Sequence, residues 1–185
     1  LGVRVVYDTG VTGLFPEERH ITVTHRGDGT VRPLSYDLLH LVPPFRGPQW
    51  LTTSGLTAAE GAGVVEVDPQ TLRHRRHPHI WAAGDAATVD TDPSGGALRR
   101  QIAILVDNML ADRHGGTMTE YDGYTVAPVT TGAHQLIAGE FDRSGELAPS
   151  LPRFIDPLKP RRSAWAFDRY GLPWSYWNLI LRGRF

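Results

Sequence analysis

Residues 1–7 are rich in valine, as a strand buried on both faces would be, and Gly10 and Gly13 punctuate the chain after them. His20-Ile21-Thr22-Val23-Thr24 alternates and is β-branched, which predicts a second strand. Arg26-Gly27-Asp28-Gly29 follows, and Asp-Gly is a strong short hairpin signal, so a return strand is expected over 30–34. Leu38-Leu39-His40-Leu41-Val42 is a compact apolar run halted by Pro43-Pro44. It suits a buried strand ending in a turn, because proline cannot donate to a sheet ladder. A short helix is expected over 57–63, with Thr57 as its cap, Glu60 completing a capping box, and Gly61 and Gly63 ending it. Val64-Val65-Glu66-Val67 reads as a short strand stopped by Asp68-Pro69. Ile80-Trp81-Ala82-Ala83 reads as another, closed by Gly84-Asp85.

The longest periodic segment runs over 96–113. Leu98, Ile102, Leu105, Val106 and Met109 lie at helical spacing and form one stripe, and Gly115-Gly116 stops the helix. Two strands are expected over 124–129 and 136–141, with Gly132 near the turn and residues 142–145 beyond. Prolines, a basic run (Lys159-Pro160-Arg161-Arg162) and an aromatic tail complete the chain. Lys159, Arg161 and Arg162 are expected to form a solvated basic face. No internal repeat or low-complexity tract is present.

Charge and composition narrow the classes. Across 185 residues, 19 Lys and Arg oppose 20 Asp and Glu, a formal net charge of −1. That balance offers no global attraction to nucleic acid. Hydrophobic residues at 41% against 21% charged place the chain among folded proteins. The absence of cysteine removes disulfides, thiolate metal sites and cysteine nucleophiles from its own chemistry. No run approaches the roughly 18 apolar residues of a transmembrane helix. The opening Leu1-Gly2-Val3-Arg4 carries no leader pattern and reads as mid-strand, so a piece of a longer protein is expected.

Three places could carry chemistry. Asp85, at the end of an expected strand, could accept hydrogen bonds from sugar-alcohol hydroxyls, while Gly84 lets the backbone approach closely. The helix start at Gly95, Gly96 and Ala97 offers free amides to an anion or a polarised carbonyl. The same residues also suit a strand, a turn and a capped helix with no ligand. Trp165, Phe167, Tyr170, Trp174, Tyr176, Trp177 and Phe185, with arginines among them, suit either a water–lipid boundary or a packed helix. His74, His77 and His79 are interleaved with arginines that repel a cation, and zinc needs about four ligands, so no metal is expected.

Ala83-Gly84-Asp85-Ala86 and the helix after it resemble the second flavin motif of flavoproteins with two dinucleotide-binding domains. Further strings resemble one branch of them, the sulfide:quinone oxidoreductases. These are residues 36–44 (ending Val42-Pro43-Pro44), residues 67–76 (Val67-Asp68-Pro69 onward), Tyr121-Asp122-Gly123-Tyr124-Thr125, Glu140-Phe141-Asp142, 159–163 and 176–183. The resemblance implies an α/β fold. It would comprise a partial Rossmann-like flavin-binding domain (the C-terminal half) plus a C-terminal α+β region with a short antiparallel strand pair and amphipathic helices. Residues 1–37 would end an inserted nicotinamide-type domain, and 38–116 would be the second half of the FAD-binding domain. Residues 117–185 would cover the flavin, shape a quinone site and meet the membrane surface.

On that resemblance Pro43 and Pro44 lie beside FAD, Gly84 and Asp85 hold its ribityl chain, and Gly96 and Ala97 point at its pyrimidine. Trp165, Phe167, Tyr170, Trp174 and Trp177 line the quinone path or the membrane contact. The implied activity is electron transfer from a small reduced donor through FAD to a quinone by a peripheral membrane protein, with homo-oligomers possible. Two departures stand out. The glycine fingerprint for the FAD pyrophosphate is missing: Gly61-Ala62-Gly63 lacks the third glycine and precedes a strand. The family places a redox-active cysteine after the Tyr-Asp-Gly-Tyr-Thr string, where this chain has Ala127. An alanine methyl forms neither persulfide nor disulfide. The alternative is a relative that keeps the fold without the chemistry and serves as a binding or assembly module.

Overall fold

The computed structural model describes residues 2–58, 62–150, 152 and 156–184. The chain divides into two compact units, residues 1–44 and 45–185. The first is a three-stranded antiparallel meander, ordered β1 (Thr9–Phe15), β2 (His20–His25), β3 (Val31–Ser35). Alternation in β2 buries Ile21 and Val23. In β1 the register passes from Val11↔Val23 to Gly13↔Thr22, leaving Thr12 as a bulge whose Oγ1 lies 2.8 Å from Thr24 Oγ1. The β2–β3 ladder runs through Pro33 with no shift. At the expected Asp28-Gly29 turn, the Thr30 amide donates to Asp28 Oδ1 at 2.9 Å, and His25 Nδ1 lies 2.9 Å from the same oxygen. The Thr30 hydrogen bonds, with His25 behind them, hold the Asp28 carboxyl down at about 2.

Two expectations fail in this unit. Residues 2–7 are exposed and unpaired, so the first strand starts later and contains Gly10 and Gly13 instead of ending at them. Residues 38–42 form no strand, and Leu38 is 91% exposed. Both runs read as strands covered on both faces, and such strands exist only between neighbours. Among the described residues neither run finds one.

The second unit contains α1 (Gln49–Thr53), α2 (Gly95–His114), β4 (Thr125–Gly132), β5 (Gln135–Phe141), α3 (Arg162–Ala166) and α4 (Leu172–Asn178). Its apolar core is small: Leu51, Val65, Val67 and Ala87, with Leu56, Ile80, Ala82 and Val89 against them. The expected strands over 64–67 and 80–83 shrink to single bridges. Val65 pairs with Thr57 and, in parallel, with Ala87; Val67 pairs with His74, and Arg73 with Trp81. Side-chain hydrogen bonds replace the missing ladders. Asp68 Oδ1 accepts from the amides of Thr71 at 2.9 Å and Gln70 at 3.0 Å, and these bonds, Thr71 foremost, lower its pKa. His74 is buried. Its Nδ1 accepts from the amides of Arg76 and His77, so Nε2 carries the proton and donates to the Leu56 carbonyl at 3.0 Å. Thr57, expected to cap a helix, is instead paired and extended, while Glu60 and Gly61 of that helix lie outside the described residues.

Helix α2 begins at its Ser94 cap, whose Oγ accepts from the Ala97 amide at 3.1 Å, and ends at Gly115 in the left-handed conformation. Its most buried face is not its apolar stripe, of which Leu105 is half-buried. The buried positions are Ala97, Gln101 and Asn108, whereas Leu98, Ile102, Val106 and Met109 are between 40% and 47% exposed. The inward polar groups are hydrogen-bonded. Asn108 donates through Nδ2 to the carbonyls of Thr71 at 3.0 Å and Thr119 at 2.9 Å, and its Oδ1 accepts from the Thr119 amide at 2.6 Å. One turn on, Asp112 pairs with Arg73 at 3.0 Å.

The β4–β5 hairpin forms where expected, and the segment after it bridges Leu147 to Phe141. Arg161, read as part of a solvated basic face, is instead half-buried and pairs through its backbone with Leu136, while Arg162 stays exposed.

Asn108 binds three backbone groups of two loops. Asn108→Ala is therefore expected to cost about 3 kcal/mol, because buried groups left unpaired cost about 1–3 kcal/mol each. All five tryptophans (Trp50, Trp81, Trp165, Trp174, Trp177) belong to residues 45–185, so denaturant unfolding followed by tryptophan fluorescence reads this unit alone. A loss below about 1 kcal/mol would show that the amide does not hold the helix.

Candidate functional site

Residues 80–83 lead into a single 3-10 turn, Gly84–Ala86. Gly84 is buried at φ +65°, a left-handed conformation that favours glycine, and a Cβ there would come within 2.9 Å of Leu98 Cδ1. Its amide donates to Oε1 of the buried Gln101 at 2.7 Å. One side chain of α2 thus fixes the turn from which Asp85 projects. Asp85 is exposed and makes no hydrogen bond or ion pair among the described residues.

The start of α2 belongs to the same corner. Leu98, which touches Gly84, is one turn from Gly95. The Ala97 amide is taken by Ser94, whereas those of Gly95 and Gly96 have no acceptor among the described residues. Gly96 is hard against β4: a Cβ would sit 2.5 Å from Val126 Cγ1. Ser94 Oγ also accepts from the Val126 amide at 3.3 Å; Thr125 Oγ1 gives its one proton to the Asp92 carbonyl at 2.7 Å, so the 3.1 Å contact between the two hydroxyls is donated by Ser94. An open cleft of about 580 Å³ adjoins this cap, lined by Asp90, Thr91, Asp92, Thr125 and Arg143 among others. It does not include Asp85. Pro43 and Pro44 end the first unit, exposed and outside helix and strand.

A polar network that the sequence reading did not identify lies beside Gly96. The Arg100 guanidinium sits 3.6 Å from the centre of the Tyr124 ring and pairs with Asp122 at 2.8 Å. Tyr124 donates through its hydroxyl to Glu140 Oε1 at 2.5 Å. Glu140 also accepts from the Ser150 amide at 2.5 Å and the Ser150 hydroxyl at 2.8 Å. Burial raises the Glu140 pKa, but the Tyr124 and Ser150 hydrogen bonds outweigh it, and the net shift is downward. Ala127, two residues after Thr125, is exposed on β4 opposite Gly139.

The tail forms a surface helix. Between α3 and α4, residues Phe167–Gly171 make a π-helical turn. Pro173 has no N–H for the turn before it, and Gly171 leaves room for Phe167, whose Cδ2 would lie 2.6 Å from a Cβ there. Phe167, Tyr170, Trp174 and Trp177 are all more than half exposed, while Trp165 is half-buried, packed edge-on to His134 at 4.5 Å and to Tyr170 at 5.8 Å. Phe185 lies outside the described residues. No helix of the described residues is long and apolar enough to cross a membrane. Among the described residues no group of three or more His, Asp or Glu could hold a metal ion.

No protein-family profile matches the chain. Three curated relatives are mitochondrial sulfide:quinone oxidoreductases. That of Mus musculus is 33% identical over 156 residues, covering 84% of this chain and 34% of the relative. That of Dictyostelium discoideum is 33% identical over 162 residues, 87% of this chain and 34% of the relative. That of Schizosaccharomyces pombe is 30% identical over 184 residues, 97% of this chain and 40% of the relative. The chain therefore spans 34% to 40% of the length of these relatives. A chain in the cryo-EM structure of the Tetrahymena thermophila mitochondrial ATP synthase F1Fo composite tetramer has a similar fold. Its TM-score is 0.76 at 26% identity, covering 95% of this chain and 42% of that one. Over 84% to 97% of its length the chain is therefore similar to part of the sulfide:quinone oxidoreductases.

Proposed function

We propose that the chain is the C-terminal portion of an FAD-dependent oxidoreductase that passes electrons from a reduced donor to a quinone. In this reading residues 1–37 end a nicotinamide-type domain, 38–116 return into a Rossmann-like FAD-binding domain, and 117–185 cover the flavin and meet the membrane surface. One observation carries it. Gln101 ties the Gly84 turn to α2, so a free carboxylate, Asp85, and the open amides of Gly95 and Gly96 belong to one corner. That pairing of acceptor and donors fits a polyol chain and the electron-rich edge of a flavin. Bound FAD would supply two-electron chemistry. The chain's own part would be to hold it, with Asp85 on the ribityl hydroxyls and Gly96 at the pyrimidine. Nothing among the described residues cradles a pyrophosphate.

The 185 residues alone are therefore expected to retain little or no flavin, and a flavin absorbance band after purification would overturn that. In the longer polypeptide, Asp85→Ala should weaken FAD binding about tenfold or more, since a hydrogen bond to a charged group contributes about 1.5–3 kcal/mol. Unchanged affinity would remove Asp85 from the site.

Ala127 argues against sulfide as the donor. With a methyl group where the family has a redox cysteine, sulfide should support no quinone reduction above background by the longer protein. Rapid sulfide turnover would refute this. Exposed Trp174 and Trp177 support a membrane-surface role for the tail. Liposome pelleting of the chain should fall at least severalfold when it is cut before Pro173, and equal pelleting would reject the tail as the anchor.

A second reading, a non-catalytic assembly module, is favoured by two observations. Ala127 is one, and the other is the structural neighbour, which is a chain of an ATP synthase. An intact protein without flavin absorbance would support it.

A further inference from the structure

The carboxylate of Glu140 serves two parts of the second unit at once. On one side is Tyr124, whose ring is stacked under Arg100 of α2 and lies 3.7 Å from where a Gly96 Cβ would be. On the other is Ser150, held through both its amide and its hydroxyl, at the end of a return segment running alongside β5. That segment is also held by the Ala148 amide on the Glu140 carbonyl at 2.9 Å and by the Asp142 amide on the Glu146 carbonyl at 3.0 Å. Ser150 and Gly96 have no direct bond. The side-chain hydrogen bonds of Glu140 run from Ser150 to Tyr124, while Val126, its partner across the ladder, also lies against Gly96.

We propose that Glu140 is a positioning residue that interlocks residues 146–150 with the first two turns of α2, so that a displacement of either is felt by the other. A carboxylate suits this role because it only accepts: its two oxygens can serve the phenol and the serine groups together without losing a proton. The phenol is the stiff member. Burial first, then the hydrogen bond and charge of Glu140, push Tyr124 up to about 12, against the lowering effect of Arg100 and Arg99. The protonated phenol is favoured by the fold. Its contribution is complete below the ordinary tyrosine range near 10 and is lost as pH rises through about 12. The significance of the coupling for flavin rests on the reading above; the coupling itself does not.

The test uses this chain with glycine and serine amides labelled for NMR. Tyr124→Phe does not touch Ser150, yet it should speed hydrogen exchange of the Ser150 amide about fivefold or more, the lower end of ordinary coupling energies. Ser150→Ala should in turn shift the amide signals of Gly95 and Gly96. Linkage is reciprocal, so movement in only one direction overturns the proposal, as does movement in neither. Glu140→Gln is the conservative control. Its amide can still accept from Tyr124 but cannot accept at both ends, so Ser150 exchange should rise and the Tyr124 phenol should titrate below about 12. A phenol unmoved in this variant would show that Glu140 does not govern it. Loss of flavin binding by the longer polypeptide with these couplings intact would count against the flavin reading alone.

Discussion

The buried carboxamide of Asn108 sets which way the long helix faces, and the rest of the second unit follows from that. A carboxamide enclosed by protein must find partners for both ends, and Asn108 finds them on the backbones of two loops. Gln101, seven residues earlier on the same side, does the same for the Gly84 turn. The two amides act as pegs. They align the 68–72 turn, the 117–121 loop and the glycine turn along one face of α2. Ala97 is the one apolar residue among the three buried on α2, so specificity here comes from hydrogen bonds that only one rotation of the helix can satisfy.

This explains where periodicity succeeded and where it misled. The spacing of Leu98, Ile102, Val106 and Met109 identifies a helix, and both ends of α2 fall within a residue of their local signals. Spacing does not say which side meets the rest of the chain. Position 101 carries glutamine and position 108 asparagine, residues that a hydropathy count assigns to solvent. Turn chemistry was more dependable, because Asp28 and Asp68 organise the loops they sit in through bonds spanning two or three residues. Strands buried on both faces were the hardest to read. Residues 2–7, 38–42, 64–67 and 80–83 all have the right composition, but a strand is a relation to a neighbour, and none of these runs has a full ladder among the described residues.

The candidate site divides along the same line. Gly84-Asp85 was legible because a glycine and an acid at the end of an apolar run are adjacent in sequence. The Arg100–Tyr124–Glu140–Ser150 chain was not, because its members are separated by 10 to 24 positions and meet only after β4 and β5 pair. The nearest hint was that Tyr124 and Glu140 both sit in strings resembling one family. The π-helical turn in the tail had a local cause in Gly171 and Pro173, and composition did not reveal it.

The small meander of the first unit has two margins that are unpaired among the described residues, and each is spoiled for recruiting another chain. On β1 the bulge at Thr12 interrupts the even spacing of donors and acceptors that an incoming strand would need. On β3 the ladder passes undisturbed through Pro33, which is possible only where the missing N–H points away from β2, so the gap falls on the outer side. A sheet with valines and leucines this exposed would otherwise invite amyloid-like stacking; its rims are blunted by one extra residue and one imino acid.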